Sequence, residues 1–193
     1  MTKKKPNTGQ VRIISGQWRS RRLPIHDLEG LRPTTDRVKE TLFNWLSTDV
    51  VGARVLDCFT GSGALSFEAL SRYADFAQML ELQPSAAKQL QQNLTTLKCE
   101  QGKVIKGDTL TLLKTPPDEP FNIIFIDPPF RQSLAEECIR LLNLHQWIAP
   151  DALIYLETET ELSALTLPQH WVQLKEKKAG QVTYRLFQST SIN

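Results

Sequence analysis

Apolar strand-like segments alternate with amphipathic helix-like segments over most of the chain. From residue 53 onward the strand-like segments include ARVLDCF, FAQMLEL, FNIIFID and ALIYLE, and PSAAKQLQQNLTTLK is one of the helix-like segments between them. Parallel neighbours in a sheet are joined by right-handed crossovers, which need a helix between the two strands. The alternation therefore predicts an α/β fold with helices on both faces of a mostly parallel sheet.

Two hairpins are predicted at the ends of this alternating region. VRIISGQWRSRRLPI alternates apolar and basic residues around Ser15 and Gly16, which predicts a short N-terminal hairpin. A helix follows it, with Thr34 or Thr35 as N-cap. The late segment HWVQLKEKKAGQVTYRLFQ predicts a closing hairpin that turns near Gly180.

The composition fits one domain with a small appendage. Of 193 residues, 40% are apolar and 23% are charged. No apolar run approaches the roughly 20 residues that span a bilayer, so we expect a soluble, cytoplasmic protein. The three cysteines lie far apart and the three histidines stand singly, so neither a disulfide framework nor a metal site is predicted.

Positive charge is concentrated near the N-terminus. Residues 1–37 contain nine Lys or Arg against three Asp or Glu, whereas the remaining residues contain fourteen against eighteen. A basic segment attached to a mildly acidic body predicts an arm that binds a polyanion. For the lysines at 3–5 alone, a solvated tail that binds nothing is the better interpretation.

Two glycines follow the first strand of the alternating region, in VLDCFTGSGAL. Gly61 and Gly63 permit a tight turn and a close backbone approach to a ligand, and the next helix presents free N–H groups. A Walker lysine is missing, and Ser66 stands where a dinucleotide loop has its third glycine. Asp57 would repel a pyrophosphate, so its charge favours S-adenosylmethionine. A simple tight turn is the alternative interpretation.

Two further acids end the next two strands. Glu81 stands eighteen residues after Gly63, where a carboxylate can accept hydrogen bonds from both ribose hydroxyls of a cofactor. Asp108 could accept from an adenine amine, or it could be a turn or N-cap residue. The sequence leaves both interpretations of Asp108 open.

The most specific string in the chain is DPPF at 127–130. Proline fixes φ and restrains the residue before it, so Asp127 and Pro128 are held with little freedom. A carboxylate and a backbone carbonyl can then accept both hydrogens of one amino group, and Asp127 can take the released proton. Phe130 would stack on a base taken out of its stack. Alternatively, Phe130 is a core residue and DPP a rigid turn.

These motifs resemble those of the class I S-adenosylmethionine-dependent methyltransferases. Over nearly the whole chain, RIISGQWRSRRLP, LRPTTDRVKETLFNWL, LDCFTGSGALSFEALSR and KKAGQVTYRLFQ resemble the RsmD-like ribosomal RNA guanine-N2 methyltransferases. The resemblance implies a Rossmann-like fold: a seven-stranded, mostly parallel sheet with an antiparallel last strand, plus an N-terminal β-hairpin extension. It implies a monomer that methylates N2 of one guanine in small-subunit (16S) ribosomal RNA, within an assembled or partly assembled 30S subunit.

The resemblance also assigns roles to single positions. The implied cofactor-binding residues are Asp57, Phe59, Gly61, Gly63, Glu81, Leu82 and Asp108, and the implied catalytic residues are Asp127, Pro128, Pro129 and Phe130. Residues 1–37 would be a basic tail and hairpin that bind RNA, and 38–193 the methyltransferase domain. Candidate RNA contacts are Arg12, Trp18, Arg19, Arg21, Arg22, Arg32 and Arg37. Trp18 could instead anchor the hairpin on the body.

Three other functions are weighed against this one. A DNA adenine-N6 or cytosine-N4 methyltransferase uses a similar DPPF, but such enzymes generally carry a target-recognition region, for which 193 residues leave little room. A non-catalytic RNA-binding assembly factor would keep the fold without the chemistry. A dehydrogenase would bind NAD(P), which Asp57 and the missing third glycine disfavour.

Overall fold

The computed structural model describes residues 9–25, 34–129, 134–159 and 165–190, and its first two strands form a small sheet of their own. Strands β1 (Gln10–Arg12) and β2 (Arg22–Pro24) are antiparallel, with Val11 opposite Leu23. The predicted N-terminal hairpin is confirmed. The predicted domain boundary at residue 37 stays a prediction.

The other strands form one seven-stranded sheet. They are β3 (Arg54–Asp57), β4 (Phe76–Glu81), β5 (Gly102–Lys106), β6 (Phe121–Ile126), β7 (Ile148–Glu159), β8 (Trp171–Ala179) and β9 (Val182–Ser189). Their order is β5-β4-β3-β6-β7-β9-β8. Strands β3 to β7 pair in parallel, and β9 lies antiparallel between β7 and β8. The mostly parallel sheet with an antiparallel last strand is therefore confirmed.

Helices lie between the parallel strands, as the alternating pattern predicts, and one further helix, α1, precedes β3. They are α1 (Asp36–Trp45), α2 (Ala64–Ser71), α3 (Pro84–Leu97), α4 (Thr109–Leu112) and α5 (Leu134–Leu144). Thr35 is the N-cap of α1, since its side chain accepts a hydrogen bond from the Val38 N–H. Helix α4 was not predicted, because four residues are too short to show a helical period. Within the described ranges, no helix combines the length and apolar character needed to cross a membrane.

Buried apolar residues form a cluster on each face of the sheet. One cluster joins the hairpin and helices α1, α2 and α3 to the sheet face that carries Phe125 and Tyr155. The other packs α5 against the opposite face, where Leu56 and Ile124 lie. Phe125 alternates with Ile124 and Ile126 on β6, and Tyr155 alternates with Ile154 and Leu156 on β7. The two clusters therefore follow from the period of two that β-strands impose.

The hairpin is fastened to α2 by polar contacts as well as by apolar ones. Glu68, fully buried on α2, accepts hydrogen bonds from the backbone N–H groups of Ile14 at 2.7 Å and Ser15 at 3.0 Å. It also accepts one from Nε of Arg72 at 2.8 Å. A Cβ on Gly16 would lie 1.8 Å from the Ser71 carbonyl oxygen, so only glycine fits there. The same helix thus holds the hairpin at one end and begins at the glycine loop at the other.

Candidate active site

The strand order brings the predicted cofactor and catalytic residues to one edge of the sheet. Strand β3 lies between β4 and β6, so the carboxyl ends of these three strands are neighbours. Asp57 ends β3, Glu81 ends β4, and Asp127 follows the last residue of β6. In open α/β sheets, ligands bind at such carboxyl ends, where the strand order reverses direction. Asp57, Glu81 and Asp127 therefore lie where a ligand site is expected.

The loop after β3 needs glycine at two positions. Gly61 and Gly63 have φ values of 55° and 79°, in the left-handed region that glycine adopts without strain. A Cβ on Gly63 would lie 2.5 Å from Cε2 of Phe67 and 2.7 Å from Cδ2 of Leu90. Gly63 is also the N-cap of α2 and gives that helix no side-chain cap. The loop can therefore run close over α2 and leave the first N–H groups of the helix to a ligand.

Glu81 holds this loop against the end of β4. Its Oε2 accepts the Gly61 N–H and its Oε1 accepts the Gln83 N–H, both at 2.8 Å. Burial raises the pKa of the Glu81 carboxyl, while these N–H groups act in the opposite direction. Each carboxylate oxygen has a second lone pair, so Glu81 can also accept hydrogen bonds from two ribose hydroxyls.

Asp57 ends β3, where this loop begins, and is buried. Its Oδ2 accepts a 2.6 Å hydrogen bond from Oγ of Ser66, in the first turn of α2. The pKa of Asp57 is raised to about 7, mainly by burial and also by the nearby charge of Glu81, although the hydrogen bond from Ser66 acts in the opposite direction. Phe59 lies in the loop and packs against the cluster on the α5 face. The Asp57 side chain therefore joins the end of β3 to the first turn of α2.

Asp108 and Leu82 lie beside these residues and are exposed. Asp108 is the N-cap of α4, since its Oδ2 accepts hydrogen bonds from the Thr111 N–H at 2.8 Å and the Thr111 hydroxyl at 2.7 Å. The sequence had left this capping role open beside adenine binding, and the structure contains the cap. Leu82 follows Glu81 directly and is 57% exposed, so it offers an apolar surface next to the carboxylate.

Asp127 is half-buried at the end of β6, and its pKa is raised well above the ordinary range. Burial is the main cause, and the charges of Glu157 and Asp57 add to it. Pro128 is half-buried and Pro129 is exposed. Phe130 lies outside the described residues. The DPP segment thus places a poorly solvated carboxyl among other acids, where its basicity is increased.

Glu157 is a further candidate site residue, one that the sequence motifs do not indicate. It lies near the end of β7, next to Leu156, which pairs with Ile126 of β6. Its carboxyl accepts a 2.7 Å hydrogen bond from the hydroxyl of the buried Tyr155. The one signal in the sequence is the acid that closes ALIYLE at the same sheet edge as the DPPF motif.

The predicted RNA-binding residues fall into two groups. Arg19, Arg21, Arg22 and Arg37 are exposed. Arg12 instead forms an ion pair with Asp36, with 2.7 Å between Nη2 and Oδ2, and Trp18 packs partly buried against the core. The position of Trp18 agrees with the anchoring interpretation. Arg32 lies outside the described residues.

Comparison with known proteins places the chain beside named relatives. The family model described as conserved hypothetical protein 95 matches residues 11–188. The ribosomal RNA small subunit methyltransferase D of Escherichia coli strain K12 is 53% identical over 188 residues, which cover 96% of this chain and 94% of the relative. The protein of the same name from Haemophilus influenzae is also 53% identical, over 95% of this chain and 97% of the relative.

A solved structure has the same fold. The putative methyltransferase yhhF from Escherichia coli superposes with a TM-score of 0.87 at 50% sequence identity, over 94% of this chain and 99% of that one. The Rossmann-like methyltransferase fold that the motifs predict is therefore confirmed.

Proposed function

The chain belongs to the family of the ribosomal RNA small subunit methyltransferases D, and we propose that it transfers a methyl group from S-adenosylmethionine to the exocyclic N2 of a guanine in small-subunit ribosomal RNA. The observation that carries the proposal is the convergence of Asp57, Glu81 and Asp127 at one sheet edge, behind a glycine loop. Membership of the family supports methyl transfer as the reaction and ribosomal RNA as the substrate. The acids support an amine as the group that accepts the methyl.

The strand ends offer groups that fit S-adenosylmethionine. Gly61 and Gly63 would let the backbone approach the methionine part, in a loop whose two ends are joined by the hydrogen bond from Ser66 to Asp57. Glu81 would bind the ribose hydroxyls with its remaining lone pairs. Leu82 would pack on the adenine ring, and Asp108 would accept from the adenine amine with Oδ1, since Oδ2 caps α4. Most of the polar side chains in this site are carboxyl groups, so the site would favour a positively charged ligand.

The catalytic work of the chain concerns one amino group. When bound, S-adenosylmethionine supplies the methyl group and receives the electron pair of the broken carbon–sulfur bond. Asp127 and the Pro128 carbonyl accept the two hydrogens of the guanine amine, so its lone pair, otherwise delocalised into the ring, is directed at the methyl carbon. Asp127 then takes one proton from the nitrogen, and its raised pKa suits this role of base. Pro129 would keep the segment rigid, and the role proposed for Phe130 is to stack on the base.

The basic hairpin provides the contacts to RNA outside the reacting base. Arg19, Arg21 and Arg22 are exposed on an arm that Glu68 fastens to α2, so they form a fixed surface for phosphates.

We infer that the substrate is the assembled or partly assembled small subunit, that the enzyme acts as a monomer, and that it works in the cytoplasm, where ribosomal RNA is modified.

The two principal alternatives predict different substrates or no chemistry. A DNA amino-methyltransferase would methylate duplex DNA, and a non-catalytic assembly factor would act equally well without Asp127. The relatives favour neither, since they are named as ribosomal RNA methyltransferases.

The proposal is tested by methyl transfer in vitro. Purified enzyme is incubated with labelled S-adenosylmethionine and small subunits from cells that lack this enzyme. Asp127→Ala should lower the rate by about 100-fold or more, as expected when a general base is lost, with cofactor affinity kept. The matched control is Asp118→Ala, at an exposed carboxylate that precedes the amino end of β6, which should transfer at the normal rate. Label in duplex DNA and none in ribosomal RNA would overturn the proposal.

A further inference from the structure

A second carboxylate stands beside Asp127 at the same sheet edge. Leu156 of β7 pairs with Ile126, the last residue of β6, so Glu157 and Asp127 are the residues that follow this last pair. Residues at the same level of adjacent strands point to the same face, about 4.8 Å apart. The raised pKa of Asp127, to which the Glu157 charge contributes, agrees with this proximity. Two acceptors therefore lie side by side where one base edge would enter.

The position of Glu157 is fixed by a hydrogen bond from Tyr155. The Tyr155 hydroxyl donates to Oε2 of Glu157 at 2.7 Å, and the Tyr155 ring is fully buried. That ring is packed edge-on to Phe125, with centroids 6.2 Å apart, and lies 6.3 Å from the Tyr184 ring. None of the ion pairs within the described ranges involves Glu157. Its second oxygen, Oε1, can therefore serve a ligand.

The Watson–Crick edge of guanine matches two adjacent acceptors. It presents the N2 amine and, next to it, the N1–H, so both groups are donors. Adenine presents an acceptor at N1, which a carboxylate would repel. Enzymes that extrude a base read it through this edge, and a buried polar group left without its partner penalises the wrong base strongly.

We infer that Glu157 is a specificity residue that accepts the N1–H of the target guanine while Asp127 and Pro128 accept the N2 amine. Tyr155 is the positioning residue that orients Glu157. This inference rests on the proposed function and adds the group that selects guanine among bases that carry an amine.

The test compares two bases at the target position in reconstituted small subunits. One set of subunits carries guanine and the other carries 2-aminopurine, which keeps the N2 amine but has no hydrogen on N1. The measured quantity is the ratio of kcat/KM with guanine to kcat/KM with 2-aminopurine. In Glu157→Gln the ratio should fall at least tenfold, because the amide can donate to the unprotonated N1 of 2-aminopurine and a charged hydrogen bond to guanine is lost. Tyr155→Phe should lower the same ratio by a smaller factor.

The control is Glu159→Gln, two residues further along the same strand, which should leave the ratio unchanged. Cofactor affinity of each variant, measured by calorimetry, reports whether the site is still folded. If Glu157→Gln slows both bases equally and keeps the ratio, Glu157 has only a structural role and the inference fails. If the wild-type enzyme does not methylate N2 of guanine, the proposed function itself fails.

Discussion

Glu81 and Gly61 are joined by a 2.8 Å hydrogen bond from the Gly61 N–H to Oε2 of Glu81. The bond ties the loop after β3 to the end of β4, so the residue expected to bind the ribose also shapes the loop expected to bind the methionine part. The cofactor site therefore depends on this carboxylate for two reasons, its own contacts and the conformation of the loop.

Replacing Glu81 should weaken cofactor binding before it affects RNA binding. In Glu81→Ala, the Gly61 and Gln83 N–H groups lose their partner and the ribose loses its acceptor. A hydrogen bond to a charged group contributes about 1.5–3 kcal/mol, so the Kd for S-adenosylmethionine should rise by roughly 10-fold or more. Calorimetry measures this, with the exposed Glu100→Ala as control. Unchanged affinity would remove Glu81 from the site.

Two glycines offer a matched test of the packing under the loop. Gly63 and Gly180 both have positive φ, at 79° and 64°, but a Cβ would clash with Phe67 and Leu90 at Gly63 and meet nothing within 4 Å at Gly180. Gly180→Ala should cost only the left-handed conformation, about 1–2 kcal/mol of the free energy of unfolding. Gly63→Ala should cost about 1–3 kcal/mol more, from overpacking. If urea unfolding gives equal losses of free energy of unfolding for the two variants, the loop accommodates the extra Cβ at Gly63 without an overpacking penalty.

The buried carboxyl of Asp57 should make the protein less stable as pH rises. Its pKa is about 7 in the folded protein, against 3.8 as the ordinary value. Between these pH values the folded state binds more protons than the unfolded state, so the free energy of unfolding falls as pH rises through this window and levels off above about 7. The total is on the order of a few kcal/mol.

The variant Asp57→Asn isolates this effect, because the amide does not titrate. The difference in free energy of unfolding between wild type and Asp57→Asn, measured in urea from pH 4 to pH 8, should change with pH in the stated direction. Ser66→Ala removes the hydrogen bond that lowers the pKa, so it should move the end of the fall to higher pH. A difference that is constant with pH would mean that Asp57 is ionised throughout this range.

The exposed arginines of the hairpin should control the salt dependence of RNA binding. Replacing Arg19, Arg21 and Arg22 together by Gln should weaken binding to small-subunit RNA. The slope of log K against log salt should fall by up to about three, one for each phosphate that an arginine no longer neutralises. The control is Arg140→Gln on α5, whose guanidinium pairs with Glu137. An unchanged slope would show that the hairpin is not the docking surface.

The sequence could predict the sheet and the positions of three candidate acids at its edge because each has a strong local signal. Asp57, Glu81 and Asp127 end apolar strands, and strand ends of a parallel sheet meet at one edge. Asp108 carried two signals at once, a strand end and an N-cap, so its place could not be decided until α4 was seen.

Other polar residues could not be predicted because their partners are distant in the chain. In the sequence Glu68 resembles any polar helix residue. In the structure it is fully buried and accepts hydrogen bonds from backbone N–H groups more than fifty residues earlier. Lys39 is likewise buried, where it donates to the Arg12 carbonyl and pairs with Asp36. Glu157 lies beside Asp127 only because β7 pairs with β6, and no local sequence pattern encodes that pairing.

The most direct measurement of the central claim is the mass analysis of nucleosides and fragments from small-subunit ribosomal RNA. It compares cells that contain this protein, cells that lack it, and cells that carry Asp127→Ala. One N2-methylguanosine should disappear without the protein, return with the wild-type chain and stay absent with Asp127→Ala. An unchanged set of modified nucleosides, or restoration of the methyl group by Asp127→Ala, would contradict the central claim.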